Sequence, residues 1–140
     1  MDTYASYENF KRRLEEEYKK YGELIIAVDF DSTIFPYHEN TTCYEVIKVL
    51  ERWNDHAFMY IFTARGEDKH EEIRDYCTNL DINFMNINEG HYTVDFGGRK
   101  PFYNLLLDDR AGLDFGIRAL NEIMDELEEE WKCITLTLRK

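Results

Sequence analysis

Two aspartates stand one residue apart at the end of an apolar run early in the chain. The run LIIAV at positions 24–28 contains β-branched residues and predicts a buried parallel strand, and Asp29 and Asp31 follow it. Alternation along a strand points both side chains to the same side. Neighbouring carboxylates repel each other, so the pair favours a bound divalent cation or a shared proton. The alternative is a strand that ends in an ordinary polar turn.

Groups suited to phosphoryl chemistry also follow two later apolar runs. Thr63 ends one of them, Asp108 and Asp109 end another, and Lys100 stands shortly before the latter. Open α/β sheets bind ligands beyond the carboxyl ends of their strands. We therefore expect these side chains to meet the two earlier aspartates at one edge of a sheet.

Hydrophobic periodicity supplies the elements that would position these groups. Helical spacing predicts helices over about 6–20, 42–53, 67–80 and 113–131, the second of them capped by Thr42. Apolar runs predict further strands at 57–62, 82–87 and 103–107, and alternation at 134–138 predicts an edge strand. Strands that alternate with helices predict a mainly parallel, doubly wound sheet with helices on both faces. The expected fold is a single three-layer α/β domain over residues 1–140.

Composition narrows the classes of partner. The formal net charge is −12 in 140 residues, which disfavours binding to nucleic acid and to anionic membranes. Cys43, Cys77 and Cys133 lack the spacing of a metal site and are predicted to be buried, reduced thiols. No signal-type segment opens the chain and no apolar run approaches bilayer length, so we expect a soluble, cytoplasmic protein.

The motifs together resemble those of the haloacid dehalogenase-like (HAD) superfamily of phosphatases and phosphotransferases. The DxDxT motif of that family is matched by residues 29–33, its Thr or Ser by Thr63, its Lys by Lys100, and its acid pair by Asp108 and Asp109. The similarity covers roughly residues 24–127, and its last two motifs are similar to those of small bacterial and phage hydrolases.

The resemblance implies a Rossmann-like core without a cap domain, because both places where the family inserts a cap are short here. An uncapped site is open to bulky substrates or needs another chain to close it. The side chains that could shape it locally are Phe35, Tyr37 and His38 after the first motif, and His91, Tyr92 and Arg99 before the Lys.

The resemblance also implies roles in phosphomonoester hydrolysis. Asp29 would be the nucleophile that forms an aspartyl-phosphate, and Asp31 would be the general acid and then the general base. Thr63 and the backbone amides after Asp31 would bind phosphate oxygens. Lys100 would neutralise the negative charge that the nucleophile and the phosphate bring together.

A magnesium ion is implied as the cofactor. Its ligands would be a carboxylate oxygen of Asp29, the backbone carbonyl of Asp31, and Asp108, while Asp109 would support this shell directly or through water. Arg65 and Arg110 stand next to the motifs, and the sequence leaves open whether they pair with the acids or contact phosphate.

The expected substrate is a small phosphorylated metabolite such as a nucleotide or a sugar phosphate. One alternative is a polynucleotide end phosphatase, against which the net charge of −12 weighs. Another is a catalytically idle relative that serves as a binding or regulatory module. A response-regulator receiver domain is disfavoured, because in that family the acid pair precedes the phosphorylated aspartate. The oligomeric state is not predicted.

Overall fold

The computed structural model describes residues 5–38 and 43–139 and has an α/β architecture. Four parallel strands form one sheet: β1 (Leu24–Val28), β2 (Ala57–Ile61), β3 (Phe84–Ile87) and β4 (Leu105–Leu107). The described residues form four α-helices: α1 (Tyr7–Tyr21), α2 (Tyr44–Trp53), α3 (His70–Cys77) and α4 (Leu113–Leu138). The predicted α/β class and parallel sheet are confirmed.

Strand β1 lies in the middle of the sheet, whose order is β3-β2-β1-β4. In this register Val28, the last residue of β1, stands opposite both Ile61 on β2 and Leu107 on β4. The three strands therefore end at the same level, and the polar residues that follow them emerge side by side.

All four helices pack on one face of the sheet. Alternate strand residues such as Ile26 and Met59 share a single core with buried side chains of every helix, for example Leu14 and Trp53. The opposite face is covered by the irregular segment 91–103, whose Val94, Phe102 and Tyr103 pack against Ile25, Ala27 and Tyr60. The prediction of helices on both faces is therefore wrong for the described residues.

The handedness of the connections explains this asymmetry. The chain moves from β1 through β2 to β3 in one direction and then returns past β1 to β4. Right-handed crossovers place connections made in opposite directions on opposite faces. The returning connection, residues 88–104, contains no helix, and it includes Gly97, Gly98 and Pro101, which disfavour helix formation.

The predicted edge strand at 134–138 is also wrong, because these residues continue helix α4 to Leu138. No Pro or Gly interrupts the chain after Gly116, and Leu127, Trp131, Ile134 and Leu138 follow helical spacing. Residues 131–139 are exposed. A five-residue apolar segment fits both periods, so its helical context decides the outcome.

Smaller expectations have mixed outcomes. Thr42 lies outside the described residues, and Cys43 occupies the N-cap position of α2. Cys43 and Cys77 are buried as predicted, whereas Cys133 is exposed on the outer part of α4. No helix within residues 5–38 and 43–139 has both the length and the apolar character needed to span a membrane. Neither connection that could hold a cap contains a second folded unit in its described residues.

Candidate active site

The structure brings three carboxylates together where β1 and β4 end. The backbone N–H of Asp29 donates to the carbonyl of Leu107 over 2.9 Å, which joins the two strand ends. One carboxylate oxygen from each of Asp29, Asp108 and Asp109 lies within 4.8 Å of the others. Asp31 and Thr63 line the same cleft, which has a volume of about 790 Å³. The expected convergence of these five residues at one edge is therefore found.

The environment of Asp29 disfavours its charged form. Burial, followed by the negative charge of Asp108, raises the pKa of Asp29 from 3.8 to about 7, while a hydrogen bond from Thr33 opposes the rise. A cation between the carboxylates would relieve this repulsion. Hard carboxylate oxygens are the ligands that Mg²⁺ prefers, so the donor set fits the predicted ion.

The hydroxyl of Thr33 forms hydrogen bonds with Asp29 of the first motif and with Asp109 of the last motif. It donates to Asp29 Oδ2 over 3.1 Å and accepts from the backbone N–H of Asp109 over 3.1 Å. The side chain is fully buried. This role of Thr33 was not predicted, and its only signal in the sequence is a hydroxyl residue at the end of the DxDxT motif. Its contacts make it the bridge that orients Asp29 relative to β4.

The turn after Asp31 uses its own backbone amides. Ser32 has a positive φ of 62°, and its N–H donates to the carbonyl of Phe35 over 2.8 Å. The N–H of Thr33 donates to the carbonyl of Phe30 over 3.3 Å. These amides were expected to bind phosphate oxygens, but in this structure they close the turn instead.

Asp31 forms a two-pronged ion pair with Arg65. Arg65 Nε donates to Oδ2 over 2.9 Å, and Nη2 donates to Oδ1 over 2.6 Å. The guanidinium also lies over the rings of Phe30 and Phe35, with 5.1 Å and 5.5 Å to the centroids. Of the two possibilities that the sequence left open for Arg65, the structure therefore shows pairing with an acid.

Thr63 is fixed at the end of β2 by Asn88, which the sequence analysis did not identify. The Thr63 N–H donates to Asn88 Oδ1 over 2.8 Å, and Asn88 Nδ2 donates back to the Thr63 carbonyl over 3.0 Å. Asn88 has a φ of 63°, a conformation that Asn tolerates better than most residues. An Asn directly after a strand is a weak signal that only the fold makes specific.

Lys100 is the one predicted site residue that does not line the cleft. Its side chain is exposed, and its Nζ lies 5.0 Å from the centroid of the Tyr103 ring. Among the candidate shaping residues, Tyr37 and His38 do line the cleft, and Arg110 joins them there. His91 and Tyr92 instead pack against Phe58, on the sheet face that the irregular segment covers.

Comparison with known proteins adds no relative. A scan against protein-family models found no matching family, and searches of curated proteins and of solved structures likewise found no match.

Proposed function

We propose that this protein is a magnesium-dependent phosphomonoester hydrolase of the HAD type that acts through an aspartyl-phosphate on Asp29. The observation that supports this most is the meeting of Asp29, Asp108 and Asp109 within 4.8 Å at the carboxyl edge of a parallel sheet. Asp31 and Thr63 line the same cleft, so the residues that we propose as nucleophile, proton carrier and phosphate ligand all lie around one cavity.

In the first half of the reaction, a carboxylate oxygen of Asp29 attacks phosphorus and the bond to the leaving oxygen breaks. Asp31 donates a proton to that oxygen. In the second half, water attacks the phosphorus of the aspartyl-phosphate, Asp31 accepts its proton, and inorganic phosphate leaves as the Asp29 carboxylate is regenerated. Thr33 keeps Asp29 oriented through its 3.1 Å hydrogen bond, and the hydroxyl of Thr63 serves a phosphate oxygen.

Magnesium would be held by Asp29 and Asp108, with the backbone carbonyl of Asp31 as a further ligand and Asp109 in support. When bound, it would supply the positive charge that lets an anionic nucleophile and an anionic phosphate approach each other. Lys100 was expected to add to this charge. In its position over Tyr103 it would have to move before it could do so.

The proposed substrates are small phosphorylated metabolites such as nucleotides or sugar phosphates, met in the cytoplasm. The described residues place no second folded unit over the cleft, so its mouth admits varied leaving groups. The net charge of −12 opposes long anionic chains, which disfavours a polynucleotide substrate.

Phosphate release from an aryl phosphate tests the proposal, measured with Mg²⁺ and with a chelator. The native chain should release phosphate only with Mg²⁺, and Asp29→Asn should release none while keeping a native circular dichroism spectrum. Asp81→Asn is a matched control, because Asp81 is an exposed aspartate that does not line the cleft, and it should retain native activity. Release that survives in Asp29→Asn, or that ignores the chelator, would contradict the proposal.

A further inference from the structure

We infer that Arg65 is a positioning residue that holds Asp31 for proton transfer, so that hydrolysis of esters with poor leaving groups depends on Arg65. The inference rests on the proposed function and goes beyond it by assigning a task to a residue outside the motifs. It concerns where the Asp31 carboxylate is held.

The contact between the two side chains fixes the Asp31 carboxylate in orientation as well as in place. Two parallel hydrogen bonds, of 2.9 Å and 2.6 Å, join the guanidinium fork to both carboxylate oxygens. A two-pronged bond of this kind prevents rotation of the carboxylate, which a single contact would allow. Each oxygen keeps a second lone pair beyond the one that accepts from Arg65, and the proton that Asp31 donates would be carried there. Because Asp31 lines the cleft with Asp29, its orientation there decides whether it reaches a leaving oxygen.

Arg65 is itself held from several sides. Its guanidinium rests on the stacked rings of Phe30 and Phe35, whose centroids are 5.1 Å apart. Its backbone N–H donates to Thr63 Oγ1 over 3.1 Å. The Arg65 side chain is 23% exposed, so packing restricts it. A restrained arginine can therefore impose its position on the aspartate.

The consequence depends on the leaving group. An aryl oxide leaves readily without a proton, whereas an alkoxide leaves slowly unless an acid protonates it. General acid catalysis contributes roughly 10²–10⁴-fold where the proton is needed. Displacement of Asp31 should therefore slow the hydrolysis of alkyl phosphates much more than that of aryl phosphates, whereas general damage to the fold would slow both alike.

The experiment measures kcat and KM for an aryl phosphate and for an alkyl phosphate, with Mg²⁺, in the native chain, Arg65→Met and Arg65→Lys. Arg52→Met is the matched control. Arg52 is 29% exposed and also binds a carboxylate, Asp125, over 2.9 Å, but it lies on α2 and does not line the cleft. This control removes a similar ion pair without reaching the site.

For Arg65→Met we expect kcat to fall about a hundredfold on the alkyl phosphate and less than about fivefold on the aryl phosphate, with KM little changed. Arg65→Lys should restore part of the alkyl activity, because an ammonium keeps one contact. Adding Arg65→Met to Asp31→Asn should cause little further loss, because both changes remove the same function. Arg52→Met should keep the native ratio of the two rates.

Equal losses on both substrates in Arg65→Met would overturn the inference while leaving the proposed function intact. A faster alkyl reaction in Arg65→Met would overturn it too, because the ion pair would then have hindered proton donation by Asp31. Additive losses in the double variant would overturn it as well. If the native chain releases phosphate from neither ester in the presence of Mg²⁺, the proposed function is refuted, and this inference with it.

Discussion

Replacement of Thr33 by Val should separate the role of its hydroxyl from the role of its bulk. Val has nearly the same shape but can neither donate to Asp29 nor accept from the N–H of Asp109, the two contacts that the Thr33 hydroxyl makes at 3.1 Å. The side chain is fully buried, so water cannot readily take the place of the hydroxyl. The Asp109 N–H then lacks its partner, and Asp29 loses the bond that orients it.

The contacts set the size of the effect. A hydrogen bond to an uncharged acceptor contributes about 0.5–1.5 kcal/mol, and a buried donor without a partner costs about 1–3 kcal/mol. We expect Thr33→Val to lower the free energy of unfolding by about 2–4 kcal/mol. Thr33→Ser keeps the hydroxyl and loses one buried methyl group, which should cost about 1 kcal/mol.

Urea denaturation in the presence of a chelator measures both variants, with the free energy extrapolated linearly to water. Thr33→Val should be clearly less stable than Thr33→Ser. In Thr33→Val the pKa of Asp29 should also rise further, because the hydrogen bond from Thr33 holds that pKa down in the native chain. Equal stability of the two variants would refute the assignment of Thr33 as the bridge between the ends of β1 and β4.

Three further predictions concern the charge of Asp108, the raised pKa of Asp29 and the packing of Gly116. Asp108→Asn should raise the free energy of unfolding in chelator by about 1 kcal/mol, because it removes a like charge beside Asp29. It should also abolish the rise in Tm that we expect Mg²⁺ to cause in the native chain. Thermal denaturation with and without Mg²⁺ measures both effects, and an unchanged Mg²⁺ response would contradict the proposed ligand role. Since the pKa of Asp29 is raised to about 7, the folded metal-free chain keeps a proton that the unfolded chain releases, and its stability should fall as pH rises from about 4 to 7. Because that proton must leave before the metal binds, Mg²⁺ affinity measured by calorimetry should rise by up to about tenfold per pH unit below 7. An affinity independent of pH would exclude this coupling. Gly116→Ala should lower the free energy of unfolding by up to about 2 kcal/mol. Its Cβ would lie 2.5 Å from Leu107 Cδ2, and the overpacking cost of about 1–3 kcal/mol exceeds the gain of about 1 kcal/mol in helix propensity. Gly98→Ala, with nothing within 4 Å, should be nearly neutral in urea denaturation.

Much of the fold follows from local pattern in the sequence. The run at 24–28 has no polar residue and becomes the central strand, buried along its whole length. The segment 134–138 failed as a strand prediction because five residues fit two periods, and the uninterrupted helix before it decides between them. The absence of helices from the second face of the sheet depends on the direction in which the chain returns from β3 to β4. The strand order determines this direction, and hydrophobic periodicity does not reveal it.

The arrangement of the candidate site was also predictable from the sequence only in part. Strand ends predicted the meeting of Asp29 and Asp108, because parallel strands in register end at one level. The pairing of Asp31 with Arg65 depends on side-chain conformations across 34 residues of sequence, so the residue types alone left it open. Lys100 follows an irregular segment without strand or helix to fix its direction, and the motif spacing could not place it.

Trapping the covalent intermediate would test most directly whether Asp29 is the nucleophile. The native chain is mixed with Mg²⁺ and a phosphate monoester that is radiolabelled on phosphorus, and the reaction is quenched in acid within the first turnover. The protein is then digested and the labelled peptide is mapped. We expect an acid-stable, base-labile acyl phosphate on Asp29, and no label in Asp29→Asn. Label on another residue, or Mg²⁺-dependent turnover with no labelled peptide at any quench time, would contradict the assignment of Asp29 as the nucleophile.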